Sequence, residues 1–233
     1  MTERIWNILV EGFGKIMLAS IQVTIPLTVI GFAFAMVIAM VMAMVQYAKI
    51  PVLRQISRIY IWIFRGTPLL VQLFLAYYGL PKVGIVLDSF TCAVLVFSLN
   101  EGAYCAETMR SALEAVPEGQ VEAGYCVGMN YLQIMWHVVI PQALRTAFPP
   151  LSNSLIAMLK DTSLVAEITV ADMFMAAQKI VGRTYEPLWL YCEVALVYLM
   201  YSTILTFIQR AWEKRLSRYN DRQTEVKAEG GAL

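Results

Sequence analysis

The residues of this 233-residue chain with the clearest chemical potential are polar and ionisable side chains set inside long apolar stretches. They are Thr67 and Gln72, then Asn100, Glu101, Tyr104 and Glu107, then Ser154, Lys160 and Asp161. A charge in a bilayer is costly unless it faces protein or water, so such residues mark a wet path or a ligand site by default. Helical spacing puts Glu101, Tyr104, Cys105 and Thr108 on one face, and Asn100, Ala103, Tyr104 and Glu107 on an overlapping one. Either stripe could line a path, and Glu107 could instead pair with Arg110. Lys160 and Asp161 carry opposite signs. They could bind the carboxylate and the ammonium of a zwitterion, or they could pair with each other. Arg65 could hold a phosphate head group or border the same path.

Chemistry of other kinds finds no support. The chain has no Gly-x4-Gly-Lys-Ser/Thr loop to cradle nucleotide phosphates, and no His-Glu-x-x-His, Cys-x-x-Cys or Gly-x-Ser-x-Gly. His137 is the single histidine, read as an interfacial residue, and it cannot furnish a metal cluster. Four cysteines, three of them in apolar runs, read as free thiols. Thirteen methionines read as adaptable packing. No catalytic residue, metal site or cofactor is expected on this chain.

The elements that must position these side chains are membrane helices. Hydrophobic residues make up 59% of the chain and charged residues 15%, well below the share of about 25% in soluble domains. Crossing the hydrocarbon core takes about 20 apolar residues of helix. Spans are expected at about 16–45, 59–80, 90–110, 138–159 and 188–208. The second is interrupted by Arg65-Gly66-Thr67-Pro68, and the fourth is broken by Pro141, Pro149 and Pro150. A short amphipathic helix is expected over Thr169–Gly182. The transmembrane domain is then 1–219, followed by a polar tail at 220–233.

Five spans put the termini on opposite sides. Lys and Arg number 18. Arg4, Lys15, Lys82, Lys160, Lys179 and Arg183 fall on one side; Lys49, Arg54, Arg58, Arg65, Arg110, Arg145, Arg210, Lys214, Arg215, Arg218, Arg222 and Lys227 fall on the other. The excess marks the second side, with the C terminus, as cytoplasmic and leaves the N terminus outside. With Asp and Glu at 17, no basic surface is available for nucleic acid.

The segment 111–137 is then cytoplasmic and too long for an ordinary helix connection. Pro117 precedes a helical start at Glu118, and Gly124 and Gly128 lie four apart in a stretch too short and polar to be a membrane pairing motif. Glu122-Ala123-Gly124-x3-Gly128-x9-Val138-x-Ile140-Pro141 resembles the EAA loop of ABC-importer permeases, with Gly124, Val138 and Ile140 as conservative departures. The resemblance covers nearly the whole chain. It is closest to permeases for polar amino acids, through Phe64-Arg65-Gly66-Thr67-Pro68-Leu69-Leu70-Val71-Gln72, Ser98-Leu99-Asn100, Ala106-Glu107, Pro149 to Ser154 and Leu159 to Leu164. Cystine-type permeases are the nearest match, and Glu101 departs from their pattern.

The resemblance implies an all-α integral membrane protein with five transmembrane helices and a cytoplasmic coupling helix, of the type I importer kind, multi-pass in a bacterial cell membrane. It implies a second permease subunit, identical or paralogous, two cytoplasmic ATPase subunits that bind ATP-Mg, and an extracellular solute-binding protein. Glu122, Ala123, Gly124, Gly128, Val138, Ile140 and Pro141 would couple to the ATPase. Arginine-type relatives are expected to carry an acid at the position of Ser154, so the neutral serine favours a neutral or polar substrate side chain. Glu101 or Glu193 could restore a preference for a cationic one. An ion-gradient-driven transporter would show inverted repeats, and none is visible.

Overall fold

Leu27, Gly31, Ala35, Ala39 and Ala43 fall at every fourth position of one apolar helix, and all are buried. This stripe of mostly small side chains lets two helix backbones approach closely. The partner is the helix carrying Gly102, where a Cβ would stand 3.0 Å from the Ile38 side chain. The Ser98 hydroxyl donates to the Gly31 carbonyl across the same seam at 3.2 Å. The fold is built outward from that pair.

The computed structural model describes residues 2–230, with side chains over 3–215. In chain order the helices are α1 (Thr2–Ala19), α2 (Ile25–Tyr47), α3 (Pro51–Gly66), α4 (Leu69–Phe74), α5 (Ser89–Glu114), α6 (Glu118–Cys126), α7 (Tyr131–Ile134), α8 (Ile140–Asp161), α9 (Met173–Thr184) and α10 (Pro187–Gly230). Among the described residues there is no strand. The close pair is α2 and α5, with α8 and α3 packed on α5, and α1, α9 and α10 forming a second group.

Several expected boundaries change. The first span is part of one unbroken helical rod, Glu3–Tyr47, of 45 residues. At 1.5 Å per residue it is about 68 Å long, more than twice the hydrocarbon thickness. Arg4 and Lys15 therefore sit on a helix and not in a loop, and Lys15 pairs with Glu11 one turn back. Pro187–Arg215 also meets the length and apolarity of a membrane span. The second expected span is a broken one: α3 and the helical segment Leu69–Val83 meet at 104°. The third and fourth correspond to α5 and α8, of 26 and 22 residues. Both are long enough to cross, but their charges make them less apolar than the other two.

Prolines act differently from expectation. Pro149 and Pro150 lie inside a continuous α8. Three other prolines, Pro26, Pro81 and Pro141, each follow by two residues a five-residue π turn, at Ser20–Thr24, Leu75–Gly79 and Met135–Val139. A proline cannot donate to the carbonyl four residues back, and its ring crowds that carbonyl. Widening the preceding turn relieves the clash and keeps the rod intact. Ile25 and Ile140, just before two of these prolines, accordingly donate five residues back to Ser20 and Met135.

The amphipathic helix begins at Met173, later than expected. Thr169 adopts φ 65, which ends the preceding 3-10 segment, and Asp172 caps α9 by accepting from Phe174 N at 3.1 Å and Met175 N at 2.8 Å. Asp88 caps α5 in the same way through Thr91, whose hydrogen bonds hold that carboxyl below its usual range. The side chains of the expected polar tail, 220–233, lie outside those described.

Candidate functional site

The break between α3 and α4 is built by Pro68. Without an N–H it leaves the Phe64 carbonyl without its helical donor, and side-chain amides take over: Gln72 Nε2 donates to it at 2.9 Å and Asn100 Nδ2 at 3.2 Å. Gln72 Nε2 also donates to Thr67 Oγ1 at 2.8 Å, and Thr67 Oγ1 donates to the Ile63 carbonyl at 2.9 Å. Asn100 Nδ2 donates to Gln72 Oε1 at 3.0 Å. Gln72 and Asn100 are both buried. The Phe64 to Gln72 motif thus forms an elbow, fastened to α5 by one amide.

The elbow borders a cavity of about 300 Å3 lined by Thr67, Pro68, Leu69, Asn100, Glu101, Tyr104, Ser154, Ala157 and Asp161. Six of the nine expected pathway residues meet there, drawn from the elbow, α5 and α8. Its two charged side chains are both carboxylates, Glu101 and Asp161. Ser154 lines the cavity together with Glu101, and Cys105 Sγ donates to Glu101 Oε1 at 3.5 Å. Arg65 stacks over the outer side of the Tyr104 ring, 5.3 Å from its centroid. The arrangement can hold a small polar ligand through hydroxyl, amide and carboxyl contacts, with its positive groups toward Glu101 and Asp161.

Three expected pathway residues stand elsewhere. Gln72 lies behind the cavity wall. Glu107 pairs with Arg110, which also bonds Glu114 at 2.6 Å, and it lines a different pocket. Lys160 is exposed and forms no ion pair with Asp161 among the described residues, so the opposite-sign pair does not face one ligand.

The segment 111–137 comprises the end of α5, then α6, α7 and part of a π turn. In α6, Glu122 and Ala123 are exposed while Gly124 is buried. A Cβ at Gly124 would stand 2.7 Å from Ile134 Cγ1, so glycine lets α6 lie flat on that side chain. Gly128 is off the helix. It adopts φ 82, and Met129 N donates to Gly124 O and Gly128 N to Tyr125 O, both at 3.0 Å. This is a Schellman turn, so the two glycines have separate jobs and do not form one face. A capping box between Asn130 and Gln133 starts α7. Ile134, Met135 and Val139 are buried with Met109 and Leu113 of α5 and with Val116. Val138 in the π turn and Ile140 and Pro141 at the start of α8 are half-buried. Around Glu122 the surface offers Tyr125, Val127, Leu132 and Trp136, all exposed.

A short exposed helix is therefore seated on α7 and on the π turn that leads into α8, a turn buried against α5; α5 and α8 are the two helices that furnish most of the cavity. Residues 35–218 match the model of the binding-protein-dependent transport system inner membrane component. The chain belongs to that family. It is similar to the L-cystine transport system permease protein TcyB of Bacillus subtilis, with 42% identity covering 92% of both chains. It is also similar to the L-cystine transport system permease protein TcyL of the same organism, with 33% identity covering 94% of both. A crystal structure of an amino acid ABC transporter with histidines superposes with a TM-score of 0.82 at 32% identity, covering 88% of this chain and 96% of that one. The fold is that of a type I importer permease, and the chain is a multi-pass transport subunit of the cell membrane. A system dependent on a binding protein works with that protein and with an ATPase.

Sequence reasoning missed two features. Asp172 is fully buried, and burial raises its carboxyl to about 6. Its signal was an Asp immediately before an apolar helical run. The pocket that receives Glu107 also contains Arg54, Arg58 and Gln46, which carry no short-range motif.

Proposed function

We propose that this chain is the permease subunit of an ATP-driven importer for amino acids bearing two positively charged groups, with cystine the foremost candidate. The observation that carries the substrate reading is the pair of carboxyls, Glu101 and Asp161, lining one cavity. Cystine presents two ammonium groups and two carboxylates, and relatives named for L-cystine transport support the choice. The same carboxyl pair favours a second reading, a cationic amino acid such as arginine or lysine. Neutral Ser154 beside Glu101 supports cystine over these.

Five spans cross the membrane in this reading: α1–α2, the elbow pair, α5, α8 and α10. The N terminus is outside and α6 is cytoplasmic. A second permease chain, identical or paralogous, completes the path. Two cytoplasmic ATPase subunits hold ATP-Mg, which this chain does not bind, and an extracellular solute-binding protein delivers the substrate. Each ATPase grips α6 through Glu122, Ala123 and the apolar side chains around them. Gly124 on Ile134 makes α6, α7 and the roots of α5 and α8 one stiff body. Closure of the ATPase pair therefore moves α5 and α8, together with the elbow that Asn100 fastens to α5, relative to the second permease chain and opens the path outward; ATP hydrolysis resets it.

Uptake of labelled cystine by the reconstituted importer, with arginine and serine as competitors, tests the substrate reading. The expected result is strong competition by unlabelled cystine, weak competition by arginine and none by serine. Glu101→Gln is expected to lower cystine uptake at least tenfold while the protein remains folded. Full uptake by Glu101→Gln, or serine uptake equal to cystine, would overturn it.

A further inference from the structure

At the end of α2 nearest α6, a pocket of about 300 Å3 is lined by Gln46, Arg54, Arg58, Ile61, Trp62, Glu107 and Arg110. Its lining holds three arginines against one glutamate. Arg110 is committed to Glu107 and Glu114. Arg54 and Arg58 form no ion pair among the described residues. Arg54 Nε is buried with no hydrogen-bond partner, and so is Nε2 of Gln46, a side chain only 7% exposed. A buried donor without an acceptor carries an uncompensated desolvation penalty, and here two such donors line one pocket with the Arg58 guanidinium, which has no ion pair among the described residues. The missing component is an acceptor with several oxygens and negative charge.

The surroundings specify the source of that acceptor. Beside the arginines, α3 presents Ile56, Ile59, Trp62 and Ile63 outward, with Trp62 74% exposed. An apolar face ending in an indole and a cluster of guanidinium groups matches the boundary between acyl chains and head groups. We propose that this pocket binds the phosphate of an anionic phospholipid, with Arg54, Arg58 and Gln46 as donors and the α3 face along the acyl chains. The cytoplasmic leaflet follows from the orientation proposed above; the binding chemistry does not depend on it. Because Arg110 bridges Glu107 in the pocket and Glu114 near α6, an occupied site steadies the root of the coupling segment.

The test uses the purified importer complex exchanged into nanodiscs of either phosphatidylglycerol and phosphatidylcholine or phosphatidylcholine alone. Lipid retained after detergent extraction is read by native mass spectrometry. The wild type is expected to keep phosphatidylglycerol selectively, and Arg54→Gln with Arg58→Gln to reduce retention at least tenfold. The conservative Arg54→Lys with Arg58→Lys should lose less than threefold. Arg58→Gln alone alters an exposed side chain, so its several-fold loss keeps the test open if the double variant fails to fold. Millimolar inorganic phosphate is the second arm and is expected to leave the retained lipid in place. Equal retention by wild type and Arg58→Gln, equal retention of phosphatidylcholine, or occupancy by inorganic phosphate in place of lipid would each overturn the proposal. Cystine uptake is not the readout, so a wrong substrate assignment leaves this result intact.

Discussion

Asn100 on α5 donates to Gln72 on α4 across 3.0 Å of buried space, and both amides share the Phe64 carbonyl that Pro68 leaves without a helical donor. The elbow next to the cavity is thus held by side chains and not by backbone pairing. Asn100→Ala would strand Gln72 Oε1. The expected loss is about 1–3 kcal/mol, read as a lower thermal midpoint of the purified protein. An unchanged midpoint would mean that backbone geometry alone holds the elbow.

Gly124 and Ile134 make the second prediction. A methyl at Gly124 requires Ile134 to move, since its Cγ1 would be 2.7 Å away. Gly124→Ala improves helix propensity by up to about 1 kcal/mol yet lifts α6 from its bed. The expected outcome is lost coupling, with ATP hydrolysis less responsive to substrate, and Gly124→Ala with Ile134→Ala, which removes the clashing Cγ1, is expected to restore most of it. Normal coupling in the single variant would contradict this seating of α6.

Asp172 gives the pH dependence. Its carboxyl, raised by burial to about 6 against an unfolded value near 3.8, holds its proton more tightly when folded. The contribution to stability is complete below the unfolded value and is lost as pH rises through about 6, on the order of 2 kcal/mol. Asp172→Asn keeps an oxygen for the Met175 N–H, gives up the second oxygen that accepts from Phe174, and cannot ionise. Its thermal midpoint should fall less than that of the wild type between pH 4.5 and pH 7.5, by unfolding in detergent. Parallel curves would exclude Asp172 as the titrating group.

The hydropathy of the chain made the long rods legible, and the elbow was legible in Arg65-Gly66-Thr67-Pro68 because proline and glycine act locally. The convergence of Thr67, Asn100, Glu101, Tyr104, Ser154 and Asp161 was legible as polarity inside apolar runs. What was not legible depends on contacts distant in the chain. Pro141 was expected to break its helix, but a π turn absorbs it. The pairing of Glu107 with Arg110 was legible as one of two alternatives at i, i+3, whereas the pocket it shares with Arg54 and Arg58 was not. Gly124 is a weak helix former by propensity and a requirement once Ile134, ten residues on, lies beneath it.

The central claim is that exposed α6 transmits work from a separate ATPase to the cavity. Glu122→Lys reverses a charge on that helix without touching the core. In the reconstituted importer, the account predicts normal membrane insertion and thermal midpoint, with ATP-driven uptake falling at least tenfold and residual hydrolysis no longer stimulated by substrate. Wild-type uptake by Glu122→Lys would contradict it.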